Sequence, residues 1–164
     1  ESQSITINDG NVNVVASDDG INAGGGNDNS STSGRPGENN FNSSSKCEIA
    51  INGGYTVVDA RGDGIDANGS ITITVGTTIV NGPENNGNGA LDYDGSCDIS
   101  GGILIASGSA GMAQSPSLTS SQNSVNVALS LQQANTIIHI EDEKGNRKEI
   151  ISGEVSIRGE HGYV

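Results

Sequence analysis

Short segments of the chain alternate between aliphatic and polar residues with a period of two, which is typical of strands with one buried face. The clearest are residues 5–8 (Ile-Thr-Ile-Asn), 49–52 (Ile-Ala-Ile-Asn) and 71–74 (Ile-Thr-Ile-Thr). Further apolar positions follow each segment, and Gly, Asn and Asp lie between them. The pattern predicts three short strands in each repeat, joined by tight corners.

An acidic phrase returns three times, and it supplies the third strand of each repeat. It reads Asp-Asp-Gly-Ile-Asn-Ala at 18–23, Gly-Asp-Gly-Ile-Asp-Ala at 62–67 and Gly-Ala-Leu-Asp-Tyr-Asp at 89–94. A period of about two dozen residues is within the range of solenoids. We therefore expect an all-β fold, a right-handed parallel β-helix over residues 1–131, with residues 132–164 capping it as part of the same domain.

Composition agrees with a repeat fold. The 164 residues include 25 glycines, one Phe, three Tyr and no Trp. A solenoid builds its core by stacking the same aliphatic residue in successive repeats, so low aromatic content does not indicate disorder. The interruption at residues 24–48, rich in Gly, Asn and Ser, reads either as a functional loop or as a flexible surface excursion, with Phe41 as its one large anchor.

The C-terminal part carries a different pattern. Val125, Val127, Leu129 and Leu131 alternate as a strand, residues 137–140 and 148–151 predict a β-hairpin, and Val155 and Ile157 a last strand. We expect these strands to cap or extend the repeats, because an open end would present unpaired strand edges.

The net charge of −13 argues against nucleic acid as a partner, because only seven basic residues are spread along the chain. No stretch is long and apolar enough for a membrane span. The first residue is Glu1 rather than Met, from which we expect that a leader has been removed. Cys47 and Cys97 stand near the starts of two repeats, and the sequence favours free thiols over a disulfide.

Acidic residues recur at related positions of successive repeats. Neighbouring strands lie about 4.8 Å apart, so a column of carboxylates is unfavourable unless a cation or raised pKa values relieve the repulsion. Ca²⁺ takes several hard oxygen ligands and fits such a column, whereas no paired His or Cys motif favours zinc. The other interpretation is that these side chains bond the backbone of their own turns. The candidate metal ligands are Asp18, Asp19, Asp63, Asp66, Asp92 and Asp94.

Four longer strings carry a resemblance to a known family. They are residues 62–69, 80–83, 87–95 and 108–116, within a match that runs from Ile5 to about Leu131. The chain resembles the carbohydrate-binding β-helix family of clostridial secreted proteins, which is similar to the calcium-dependent pectate lyases of polysaccharide lyase family nine. The resemblance implies bound Ca²⁺ at the six acids, an extracellular or cell-surface setting, and binding of polygalacturonate or pectin.

A protein of this charge repels a polyuronate unless Ca²⁺ is shared between protein and sugar carboxylates. Arg61, Lys46 and Arg35 are the candidate carbohydrate contacts, and each is equally interpretable as a solvated charge. We expect a binding protein rather than an enzyme, because one Arg beside a metal motif is a weak catalytic signature. The alternatives are a subunit of a head-to-tail filament built through strand edges and a lyase.

Overall fold

The structure, a computed structural model, describes residues 2–24, 46–130, 137–141, 143–145, 147–151 and 161–163. These residues contain strands and no helix. The strands are β1 (Ser4–Ile7), β2 (Asn11–Ala16), β3 (Ile21–Ala23), β4 (Glu48–Ile51), β5 (Tyr55–Ala60), β6 (Ile65–Ala67), β7 (Ser70–Ile73), β8 (Thr77–Asn81), β9 (Leu91–Tyr93), β10 (Cys97–Ile99), β11 (Ile103–Ser109), β12 (Ala128–Ser130), β13 (Ile137–Glu141), β14 (Arg147–Ile151) and β15 (His161–Tyr163).

Three parallel sheets organise the first eleven strands. Every third strand returns to the same sheet, so that the first sheet has the order β1-β4-β7-β10, the second continues β2-β5-β8-β11 and the third is β3-β6-β9. The pairing is in register with the repeats, as in Ile5 opposite Ile49 and Ile49 opposite Ile71. The prediction of an all-β fold with parallel strands, three per repeat, is confirmed.

Stacked aliphatic side chains form the core between the sheets. Alternate residues point inward, and the buried ones repeat at register positions of adjacent strands. Ile49, Ile71 and Cys97 form one such row, and Ile51, Ile73 and Ile99 form the next. Five of these six side chains are completely buried, and Ile99 is 3 % exposed. The core therefore has little need of aromatic residues.

A glycine stands at the corner before the second strand of each repeat. Gly10, Gly54, Gly76 and Gly102 have φ angles of 100°, 81°, 96° and 84°, in the left-handed region that costs other residues free energy. A Cβ on Gly54 would also lie 2.5 Å from the carbonyl oxygen of Gly10 in the preceding repeat. The corner thus requires glycine both for its conformation and for the close stacking of repeats.

The predicted insertion at 24–48 lies almost wholly outside the described residues, together with Arg35, Pro36 and Phe41. Its position between β3 and β4 accounts for the 44-residue offset between register partners of the first two repeats, against 22 for the next pair.

The C-terminal strands follow the predictions in part. β13 and β14 form the predicted antiparallel hairpin, and β12 and β15 extend the second sheet beyond β11 by antiparallel pairing. The predicted strand from Val125 was wrong at its start: Val125 and Val127 are not in a strand and are 64 % and 37 % exposed. Leu131, Val155 and Ile157 lie outside the described residues.

Polar side chains cover the outer edges of β9 and β10. The Gln114 side chain accepts the N–H of Tyr93, Ser117 Oγ accepts the N–H of Cys97 and Ser120 Oγ accepts that of Ile99. The backbone of Ser117 and Gln122 donates to the carbonyls of Cys97 and Ile99. The segment 114–122 thus satisfies edge groups that would otherwise be free to pair with another chain.

Cys47 and Cys97 are free and buried, as the sequence favours. The strand β7 lies between their repeats in the first sheet. Burial, and secondarily the charge of Asp98, raises the pKa of the Cys97 thiol to about 12. The described part of the chain shows no helix with the length and apolar character that crossing a membrane requires.

Replacing Ile73 with Ala tests how much the stacked rows stabilise the fold. Ile73 is completely buried between register partners of β4 and β10, so the change leaves a cavity in the core. We expect Ile73→Ala to lower the free energy of unfolding by about 2–5 kcal/mol, measured by urea denaturation. Val75→Ala, at a side chain that is 58 % exposed, is the control and should change it by less than about 0.5 kcal/mol. Equal effects would contradict the core assignment.

Candidate metal centre

The third sheet places one polar residue of each repeat in a ladder. Asn22 of β3, Asp66 of β6 and Asp92 of β9 are register partners. Their neighbours in each strand are apolar and point inward, so these three side chains share the outer face of the sheet. Asp66 is nevertheless only 8 % exposed. A carboxylate is thus held in a largely dehydrated position on this face.

Two more acids stand at the corner before the third sheet, three residues before the ladder. The carboxylate of Asp19 accepts the backbone N–H of Asp63 at 2.8 Å, and that of Asp63 accepts the N–H of Gly89 at 2.6 Å. Each side chain therefore ties its own repeat to the next, whereas the alternative interpretation of the sequence had these acids bonding the backbone of their own turns. One oxygen of each carboxylate is used in this way.

The corner and the ladder converge. Asp19, Asp63 and Asp66 each offer a carboxylate oxygen, and these oxygens lie within 4.8 Å of one another. Asn22 joins them, because its Nδ2 donates to Asp19 Oδ2 at 2.9 Å and to Asp66 Oδ2 at 2.7 Å. Among the described residues, Asn22 Oδ1 is a buried acceptor without a hydrogen-bond partner. We call Asp19, Asp63, Asp66 and Asn22 the acidic cluster.

Burial and mutual repulsion disfavour the charged forms in the cluster. Desolvation is the largest cause that raises the pKa of Asp63 to about 7; Asp92, Asp19 and Asp18 add to it, and the bond from Gly89 opposes it. Desolvation likewise raises the pKa of Asp66 to about 8, with further contributions from Asp19, Asp63, Asp92 and Asp94. No basic side chain counteracts these increases in pKa. Within the described residues, the cluster is an acidic site that lacks its own counter-charge.

The other predicted ligands lie around the cluster rather than in it. Asp92 follows Asp66 in the ladder, and burial and the charge of Asp94 raise its pKa. Asp94 follows β9 at the next corner. The pKa of Asp18, which precedes Asp19, is raised by burial and by Asp19. The structure therefore brings three of the six predicted acids together, with the other three as electrostatic neighbours.

The predicted carbohydrate contacts are dispersed. Arg61 is exposed, two residues before Asp63, and lines a cleft of about 290 Å³ with Ala60, Gly82, Glu84 and Asn85. Lys46 is exposed and precedes β4 of the first sheet, on a different side of the repeat. Arg35 lies outside the described residues. Only Arg61 stands next to the acidic cluster in the chain.

The repeat pattern of the sequence also points to Asn22 as a member of the cluster, beside the acids. Asn22 occupies the ladder position of Asp66, and the shared Gly-Ile-x-Ala frame of the two repeats signals this equivalence. Asp63 stands two residues before Ile65, and Gly89 stands two residues before Leu91. Since Ile65 and Leu91 are register partners, Gly89 occupies in the third repeat the position of Asp63 in the second. The counterpart of Asp92 is therefore Asp66 and not Asp63.

The donor set fits a hard cation. It consists of carboxylate and amide oxygens, with no nitrogen or sulfur ligand, which favours Ca²⁺ or Mg²⁺ over zinc. The carboxylate oxygens that do not bond the backbone, together with the Asn22 oxygen once its amide rotates by about 180°, would give a cation several partners without removing the hydrogen bonds to Asp63 and Gly89.

Comparisons with protein-family models, with curated proteins and with solved structures found no match to this chain.

The raised pKa values predict an unusual pH dependence in the absence of divalent cations. In the unfolded chain Asp titrates near 3.9, so between about pH 4 and pH 8 the native state binds more protons than the unfolded state. The contribution of Asp63 and Asp66 to stability therefore decreases as pH rises through about 7 and 8, and stays low above.

In chelator, we expect the melting temperature measured by circular dichroism to fall between pH 5 and pH 8.5. The double variant Asp63→Asn, Asp66→Asn removes both titrating groups and should flatten this decrease. A wild-type melting temperature that is constant or rises over that range would contradict the buried, uncompensated cluster.

Proposed function

We propose that this protein is a right-handed parallel β-helix that binds Ca²⁺ at the acidic cluster and, through Ca²⁺, an acidic plant polysaccharide such as polygalacturonate or pectin. In this proposal it acts outside the cell or at the cell surface, as a binding protein and not as an enzyme. The convergence of Asp19, Asp63 and Asp66 within 4.8 Å, in a site without counter-charge, is the observation that carries it.

The order of the strands supports the β-helix. Consecutive strands enter the three sheets in turn, and each returns beside its counterpart of the preceding repeat. Connections between parallel strands of one sheet are right-handed in nearly all proteins, which gives the proposed hand.

Electrostatics supports calcium. Two carboxyl groups with pKa values of about 7 and 8 are partly protonated near neutral pH, and a divalent cation would displace those protons and relieve the repulsion. Asp19, Asp63, Asp66 and the Asn22 oxygen would hold the ion, with Asp92 and Asp94 adding negative charge nearby. When bound, Ca²⁺ supplies open coordination positions to an outside carboxylate.

Charge also links calcium to the polysaccharide. The chain carries −13, so a polyuronate would be repelled by the bare protein. A cation held at the surface reverses this locally, and the exposed guanidinium of Arg61 can bind a second sugar carboxylate. The resemblance to calcium-dependent carbohydrate-binding β-helices supports the same ligand class.

Calcium should stabilise the native protein, because the acidic cluster exists only in the folded state. At a 100-fold excess over the dissociation constant, we expect a gain in melting temperature of roughly 5–10 °C at pH 8. Asp66→Ala should remove most of this gain, whereas Asp98→Ala changes a half-buried acid outside the cluster, bonded to Thr119 and Ser96, and should retain it. An undiminished calcium gain in Asp66→Ala would show that the ion binds elsewhere.

Binding to polygalacturonate should require calcium. We expect the protein to co-sediment with insoluble polygalacturonate in calcium, to be released by chelator, and to ignore a neutral polysaccharide such as dextran. Asp66→Ala should abolish binding, and Arg61→Ala should weaken it about tenfold if its ion pair with the sugar contributes about 1.4 kcal/mol. Release of an ultraviolet-absorbing unsaturated uronate would instead identify a lyase and contradict the non-enzymatic part of the proposal.

A further inference from the structure

The two ends of the stack of repeats differ. At one end, the side chains and backbone of residues 114–122 cover the edges of β9 and β10, and β15 pairs with β11. At the other end, β1, β2 and β3 are each the last strand of their sheet. Among the described residues, no strand pairs with the outer edge of β2. We call this end, formed by β1, β2 and β3, the open end.

The edge strands of the open end carry no charged residue. Their sequences are Ser-Ile-Thr-Ile, Asn-Val-Asn-Val-Val-Ala and Ile-Asn-Ala. Soluble proteins commonly protect edge strands with charges, Pro or bulges. In a chain with 20 acidic residues, uncharged edge strands reduce the repulsion between two copies that meet there.

The edge of β2 can be assigned residue by residue. The carbonyls of Gly10 and Ala16 accept bonds from Tyr55 and Arg61 of the neighbouring repeat. Backbone groups of alternate residues point to opposite edges of a strand. The N–H and C=O groups of Asn11, Asn13 and Val15 therefore point to the outer edge, and their side chains are exposed. Val12 and Val14 point inward.

This edge is self-complementary under a twofold axis. An antiparallel pair centred on Asn13 sets Asn13 against Asn13 of the second copy, and Asn11 against its Val15, as hydrogen-bonded pairs. The outward-pointing backbone groups of all three residues are then satisfied. Residues directly opposite each other have side chains on the same face, so Val12 meets Val14 on the inner side. A centre between two residues would instead oppose inward and outward side chains.

We propose that two copies of this chain associate head to head through the β2 edges of their open ends, with Asn13 on the twofold axis. The proposal does not require bound calcium. The contact is small, because a six-residue strand spans only about 20 Å, so the dimer is of the weak, transient class. Asp9 of one copy approaches Asp18 of the other at the corners, and screening by salt therefore strengthens association.

Sedimentation velocity tests the association between about 5 µM and 500 µM protein, a range suited to weak interfaces. We expect the mass to rise from 16.5 kDa to twice that value, at lower concentration in 0.5 M salt than in 0.05 M. Asn13→Pro removes the N–H on the axis without removing a bond to β5, and should raise the dissociation constant at least tenfold. Asn13→Ala keeps that N–H and should dimerise like the wild type.

Cross-linking tests the register and remains decisive if the proline variant fails to fold. Opposed residues of a hydrogen-bonded pair have Cα atoms about 5.5 Å apart, within disulfide range, so Asn13→Cys should form a covalent dimer on mild oxidation. Val15→Cys is also exposed, but its Cα lies about 14 Å from its symmetry mate and should not cross-link. Wild-type protein that stays monomeric throughout, a series of larger masses, or equal cross-linking of both variants would each overturn the proposal.

Discussion

In-register pairing of parallel strands is the constraint on which the rest of this structure depends. It brings together residues that are 22, 26 or 44 positions apart, and it does so three times per repeat. The same pairing stacks Ile on Ile in the interior and acid beside acid on the outer face of the third sheet. This repetition stabilises the folded state in the core, whereas it destabilises the folded state at the acidic cluster. The cost is concentrated at Asp63 and Asp66, whose charged forms are both dehydrated and repelled.

The stacked aliphatic side chains and the stacked carboxylates differ in whether a bound cation would stabilise them. Hydrophobic stacking needs no ligand, because each buried methyl group finds its partner in the next repeat. Stacked carboxylates have no such partner, and Asn22 can donate only one amide group to two of them. A divalent ion would satisfy the oxygens that Asn22 cannot reach. Among the described residues, the acidic cluster is therefore where a change of pH, or a bound cation, would alter the stability most.

Much of the repeat region could be predicted from the sequence, because period-two alternation determines which residues face the core. The strands containing Ile5, Ile49 and Ile71 were found in this way. The cluster was predicted only in part. Register partners are 44, 22 or 26 residues apart, so the sequence does not reveal which acids lie side by side until the strands are paired. That Asp66 is the counterpart of Asp92, for example, follows from the register of β6 and β9 and not from spacing along the chain. The prediction of a strand from Val125 was wrong at its start, because apolar and polar residues also alternate in segments that pair with no other strand.

Gln114, Ser117 and Ser120 bond the edge backbone of β9 and β10, and they thereby limit where a further repeat can be inserted. A duplicated repeat inserted between β6 and β7 would pack against a similar repeat on each side. The strands at both ends of the stack would then be unchanged. A unit added after β11 would separate the polar cover from the strands whose backbone it satisfies. Growth of this architecture during evolution, or by engineering, is thus expected to proceed from the middle, with the terminal segment inherited intact.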